Sequence, residues 1–120
     1  MKILIVDDST IIRRMIESSV GKYGFSEVLQ AANGREAIEL FEKHKPEIVT
    51  LDITMPEVDG IQALGEFKKI HSESNIIVVT ALHDKNIAIE AMDLGAVDVL
   101  NKPFDEEAFN AILDDIVKGA

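Results

Sequence analysis

The chain has 120 residues, a length that fits one domain and buries roughly two thirds of its unfolded surface on folding. Hydrophobic residues make up 47% and charged residues 28%, a globular balance that excludes disorder, collagen and coiled coil. Lys and Arg total 12 against 22 Asp and Glu, for a formal charge of -10, and there is no cysteine. This excludes nonspecific binding to nucleic acid or anionic lipid, and also disulfides, thiolate metal centres and a cysteine nucleophile.

In chain order, Ile3 to Val6 is the first short apolar run rich in β-branched residues and reads as a buried strand. It runs straight into acids, unlike a cleavable signal, and no apolar run approaches membrane-spanning length, so a cytoplasmic location is expected. Ser9 or Asp8 starts a helix striped by Ile12, Met15, Ile16 and Val20 and stopped by Gly21 and Gly24. Val28 to Ala31 fits a weaker edge strand. Asn33 opens a second helix, with Ala37, Ile38 and Phe41 on one face and Pro46 beyond its end. Ile48 to Leu51 is the next buried strand. The third helical stretch contains Gly65, which costs about 1 kcal/mol against Ala. Ile76 to Val79 and Val97 to Leu100 complete the buried runs, separated by a helix from Asp84 to Gly95. Asp105 starts a last helix striped by Phe109, Ile112, Leu113, Ile116 and Val117. Met15 and Met92 read as core filler. His44, His71 and His83 are scattered without metal-ligand spacing and read as solvated surface, His83 lying nearest to Thr80. Strand then helix, five times over, implies a parallel sheet covered on both faces.

The chemistry lies at the end of each apolar run. Val6 is followed by Asp7 and Asp8, Leu51 by Asp52, Val79 by Thr80, and Leu100 by Asn101 and Lys102. In a parallel sheet these residues share the carboxyl edge, where open α/β folds bind ligands. With a strand order of 2-1-3-4-5, the first and third strands are neighbours about 4.8 Å apart, so that Asp7, Asp8 and Asp52 can share one cation. Unscreened, three carboxylates there repel by several kcal/mol for each close pair. A hard divalent ion such as Mg²⁺, which takes oxygen ligands and keeps waters, answers that repulsion best.

Asp7-Asp8-Ser9, the run Leu51-Asp52-Ile53-Thr54-Met55-Pro56 with Asp59-Gly60, then Thr80-Ala81 and Lys102-Pro103-Phe104 together resemble the motifs of response regulator receiver domains, the CheY-like family. The similarity spans the whole chain in order and spacing. It implies a doubly wound (βα)5 flavodoxin-like fold with a parallel five-stranded sheet of order 2-1-3-4-5, and a single receiver over residues 1-120 with no output domain. It implies that Asp52 is the phosphoacceptor, taking a phosphoryl group from a sensor histidine kinase or a histidine phosphotransfer protein. Asp8, Asp52 and the Thr54 backbone carbonyl are then expected to ligate Mg²⁺, with Asp7 acting through a water. Lys102 pairs with the phosphoryl oxygens, Thr80 donates its hydroxyl, and the Lys102–Pro103 bond is expected to be cis. Thr54 and Leu82 flank the attack path. Such a chain is a signalling switch that catalyses only its own phosphorylation and dephosphorylation, as a chemotaxis-type regulator or a phosphorelay carrier. A monomer is expected. The alternatives are a receiver cut from a longer regulator and, in another class, an aspartate-nucleophile phosphatase. The latter would need a second acid where Thr54 stands.

One position departs from the family pattern: Val99 stands where an aromatic usually swings inward. Switching is therefore expected to rest on Thr80 and the loop from Ala81 to Lys85, with less change near Val99. Residues 84-115 are strongly acidic, with only Lys85 and Lys102 as cations. That stretch reads either as a soluble acidic face or as the dock for a basic protein target.

Overall fold

The computed structural model describes residues 1–53, 60–81, 85–103 and 105–119. The expected roles of Thr54, Leu82 and His83, and the helix start at Asp84, lie outside these residues. The elements run β1 (Lys2–Val6), α1 (Thr10–Val20), a 3-10 turn (Gly21–Tyr23), β2 (Glu27–Ala31), α2 (Gly34–His44), β3 (Ile48–Leu51), α3 (Gly60–Ile70), β4 (Asn75–Thr80), α4 (Lys85–Asp93), β5 (Asp98–Asn101) and α5 (Glu106–Gly119). All strand pairs are parallel and the sheet order is β2-β1-β3-β4-β5. This is the doubly wound flavodoxin-like order that the resemblance implies.

Each of three helices starts where a side chain can take an orphan backbone N–H. Ser9, not Asp8, caps α1, its hydroxyl accepting from Ile12 N–H at 3.3 Å. Asn33 Oδ1 accepts from Glu36 N–H at 2.9 Å, and Glu36 Oε1 reaches back to Ala32 N–H at 3.3 Å. Asp105 Oδ1 accepts from Ala108 N–H at 3.1 Å ahead of α5.

Because side chains alternate across a strand, the sheet feeds two cores. Ile3, Ile5, Ile48, Ile77 and Val79 pack with Ile16 and Val20 of α1 and Phe109 and Leu113 of α5. Leu4, Val6, Val49, Leu51, Ile76 and Val78 pack on the other face against α2, α3 and Ala91 of α4. There Phe41 and Phe67 stack, with ring centroids 4.4 Å apart. Among the described residues no helix is long and apolar enough to cross a membrane.

Three expectations need correction. Met15 and Met92 are not core filler: they are 42% and 47% exposed. Met15 lies one residue off the Ile12, Ile16, Val20 line, far enough around the helix to leave the sheet, and Met92 is next to the buried Ala91 but on the outer side of α4. The last strand begins at Asp98 rather than Val97, and it is half-exposed because it has a partner on one side only. Val97 is 39% exposed, its N–H still donating to Ile76 O at 2.8 Å. It follows Gly95, whose φ of +107° turns the chain over the aliphatic stem of Lys68.

Candidate functional site

The register brings the strand-end residues together. Val6 pairs with Leu51 on β3, so Asp7 and Asp52 leave adjacent strands side by side. Asp52 N–H donates to Val6 O at 2.9 Å, and Asp7 N–H donates to Ala31 O at 3.1 Å. Both acids are 1% exposed, whereas Asp8 is exposed. One carboxylate oxygen from each of Asp7, Asp8 and Asp52 lies within 4.8 Å of the other two.

Lys102 arrives from the far end of β5. Its Nζ is 2.9 Å from Asp7 Oδ2 and 3.3 Å from Asp52 Oδ2. Its backbone N–H donates to Thr80 O at 2.7 Å, fixing the end of β5 to the end of β4. The Lys102–Pro103 bond is cis. Thr80 is buried at 2% exposure and Ala81 beyond it is exposed. Val99 sits half-buried on β5, paired with Val78 and packed on the α2–α3–α4 core.

Burial pushes the Asp7 carboxyl up, and the negative charge of Asp52 adds to the rise; Lys102 and the Ser9 N–H, which donates to Asp7 Oδ1 at 2.9 Å, oppose it without cancelling it. For Lys102, burial works against the charged form, but Asp7 and Asp52 outweigh it and the ammonium is held above its ordinary range. One ammonium among three carboxylates leaves two negative charges uncompensated. At an effective dielectric near 20, a carboxylate pair at this separation repels by about 3 kcal/mol. Clustered hard oxygen donors and a charge deficit of two fit a divalent oxygen-seeking ion, Mg²⁺ above all.

Two contributors carry little signal in the sequence. A Cβ on Gly60 would collide with Ile53 Cα and lie 2.7 Å from Asp52 O, so α3 starts directly against the exit of β3. Arg13, one helical turn past the acidic pair, donates to the Asp7 carbonyl at 2.5 Å. Asp59-Gly60 stood among the motifs without the close approach that requires the glycine, and the pair Arg13-Arg14 was the available signal for the second.

Comparison with known proteins agrees with this geometry. A family model described as "Response regulator receiver domain" matches residues 3–114. The chain is 44% identical over 117 residues to chemotaxis protein CheY of Bacillus subtilis strain 168, covering 94% of this chain and 98% of that protein. It is 45% identical over 103 residues to the CheY of Thermotoga maritima, covering 86% of each. Among solved structures, the CheX-CheY-BeF3-Mg²⁺ complex from Borrelia burgdorferi superposes with a TM-score of 0.91 at 29% identity, covering 98% of this chain and 89% of that one.

Proposed function

The chain belongs to the response regulator receiver family, CheY-like in fold and sequence, and on that premise we propose that Asp52 accepts a phosphoryl group from a phosphohistidine. The donor is a sensor histidine kinase or a histidine phosphotransfer protein. A carboxylate oxygen of Asp52 forms the new O–P bond as the P–N bond breaks. The electron pair stays on the imidazole nitrogen, which departs neutral with its other nitrogen protonated. Bound Mg²⁺ supplies charge neutralisation at the phosphoryl oxygens. Asp8, Asp52 and the Thr54 carbonyl would hold it, with Asp7 acting through a water. Lys102 orients Asp52 and pairs with the incoming oxygens, and the Thr80 hydroxyl donates to one of them. Hydrolysis of the acyl phosphate by water resets the switch.

The observation that carries this reading is the approach of Lys102 Nζ to both buried acids, with Asp8 completing the cluster. The related CheY of B. burgdorferi was crystallised with CheX, BeF3 and Mg²⁺. The phosphorylated state acts through Thr80 and the segment after it, with Val99 taking little part. The output is a cytoplasmic monomer docking a protein target on the acidic face of residues 84-115. That face carries exposed Ile89 and Met92 beside Asp93 and Asp98, around a groove of about 350 Å³. A partner with apolar anchors and a basic rim fits it, and its association rate should fall as salt rises.

The test is labelling by acetyl phosphate with Mg²⁺, read by intact mass. Wild type gains one phosphoryl group and Asp52→Asn gains none. Wild-type labelling rates in Asp52→Asn would end the proposal.

A further inference from the structure

The acidic cluster has a support on the side away from Lys102. Arg13 of α1 is half-buried. Its Nη1 donates to the Asp7 carbonyl at 2.5 Å, its Nε to Gln30 Oε1 of β2 at 3.2 Å, and its Nη2 to Thr10 Oγ1 at 3.3 Å. Gln30 is itself held, its Nε2 donating to Glu17 Oε2 at 2.8 Å. Every one of these Arg13 contacts goes to a neutral oxygen, so these donors are spent on geometry and not on pairing charge. The rigid fork of a guanidinium suits that task.

The Asp7 carbonyl lies just past the last β1–β2 and β1–β3 pairs, Val6 with Ala31 and with Leu51. Arg13 takes its place in the ladder. A peptide unit is planar, so fixing the Asp7 carbonyl fixes the Asp8 N–H and constrains the Asp8 Cα. Asp7 N–H is tied to Ala31 O and Asp7 Oδ1 to Ser9 N–H, which leaves the Asp7–Asp8 peptide as the joint that needs a clamp. Asp8 is the exposed member of the cluster and has the least packing to aim its carboxylate.

We propose that Arg13 is a positioning residue: by gripping the Asp7 carbonyl between β1, α1 and β2, it aims the Asp8 carboxylate at the divalent cation. This rests on the Mg²⁺ reading of the site. Partners that orient metal ligands typically change affinity by about 10- to 100-fold when lost. The experiment is Mg²⁺ titration of the full chain, followed by backbone amide shifts of Asp7, Asp8 and Asp52, for wild type, Arg13→Met and Gln30→Met. Arg13→Met should raise the Mg²⁺ Kd by about tenfold. Gln30→Met, which keeps the charge and loosens one arm of the fork, should raise it by a smaller factor, and it keeps the test open if Arg13→Met does not fold. In acetyl phosphate labelling, half-saturating Mg²⁺ should rise by a larger factor than the saturated rate falls, which general loosening would not produce. If Arg13 acted only as a repelling charge, Arg13→Met would tighten Mg²⁺ and Gln30→Met would change nothing. Either that pattern or an unchanged Kd in both variants overturns the role of Arg13 alone. A wild type that binds no Mg²⁺ overturns the site reading and this inference together.

Discussion

Lys102 Nζ lies 2.9 Å from Asp7 Oδ2 although two strands, β3 and β4, separate the ends from which they come. Two buried acids draw the ammonium in from that side, Asp52 Oδ2 lying 3.3 Å from the same Nζ. In Lys102→Ala, the buried Asp7 and Asp52 lose the ammonium that both face. Breaking a buried pair from one side costs about 3–5 kcal/mol, and the 18% exposure of the lysine side chain moderates it. Metal-free Lys102→Ala should lose roughly 1–3 kcal/mol in urea unfolding followed by circular dichroism, with Mg²⁺ restoring part of it. Phosphorylation should persist while the conformational response is blunted. A variant as stable as wild type without Mg²⁺ would contradict the electrostatic account.

Two glycines of α3 should respond to alanine in opposite senses. The collision at Gly60 is with backbone of Ile53 and Asp52, which cannot rotate away, so the helix start or the exit of β3 at Asp52 must shift. Gly60→Ala should cost about 1–3 kcal/mol or more and should slow labelling of Asp52. Around Gly65 a Cβ meets nothing within 4 Å. Gly65→Ala should therefore add about 0.5–1 kcal/mol through helix propensity and lost chain entropy in the unfolded state. Paired thermal melts decide both, and equal shifts in one direction would refute the geometric distinction.

Tyr23 predicts a pH dependence that the chain's single tyrosine makes easy to read. Its hydroxyl donates to Asp114 Oδ1 at 2.7 Å and to Asn110 O at 3.2 Å, tying the turn after α1 to α5. Burial, and then the bond to and charge of Asp114, push the phenol from 10.0 up to about 12. A pKa raised by folding gives stability that is full below the unfolded value and lost as pH climbs through the folded one. The window is thus pH 10 to about 12. Tyrosinate absorbance of the folded chain should rise late in that window. Wild type should lose stability across it faster than Tyr23→Phe, and at neutral pH Tyr23→Phe should cost about 0.5–1.5 kcal/mol. Tyrosinate absorbance with an ordinary midpoint near 10 would sink this.

What was legible in the sequence was whatever depends on neighbours along the chain. Four apolar runs ending in Asp, Thr or Asn-Lys are read from local order, and parallel topology then gathers Asp7, Asp52, Thr80 and Lys102 at one edge. What was hidden depends on distant partners. Gly60 looks like any helix start until Ile53 is placed behind it. Tyr23 and Asp114 are 91 residues apart. Met15 shares an apolar stripe with Ile16, yet its place at the margin of that stripe leaves it 42% exposed and Ile16 1%. Periodicity assigns a face to within about a third of a turn, and residues at its margin go either way.

The charge deficit of the cluster predicts how metal and stability are linked. Without a divalent ion, Asp7 and Asp52 are buried with one ammonium between them and Asp8 close by, so neutralising one acid should relieve repulsion. Asp52→Asn should leave the metal-free chain as stable as wild type or more so. On the proposed reading Mg²⁺ should bind wild type in the folded state only, since the unfolded chain does not gather the three acids, and 100 times its Kd should add about 2.7 kcal/mol. Asp52→Asn removes one proposed ligand and should gain much less. Melting temperature against Mg²⁺ concentration for the two proteins measures both halves. Loss of metal-free stability in Asp52→Asn, or parallel Mg²⁺ curves, would show that repulsion among these carboxylates does not govern the site.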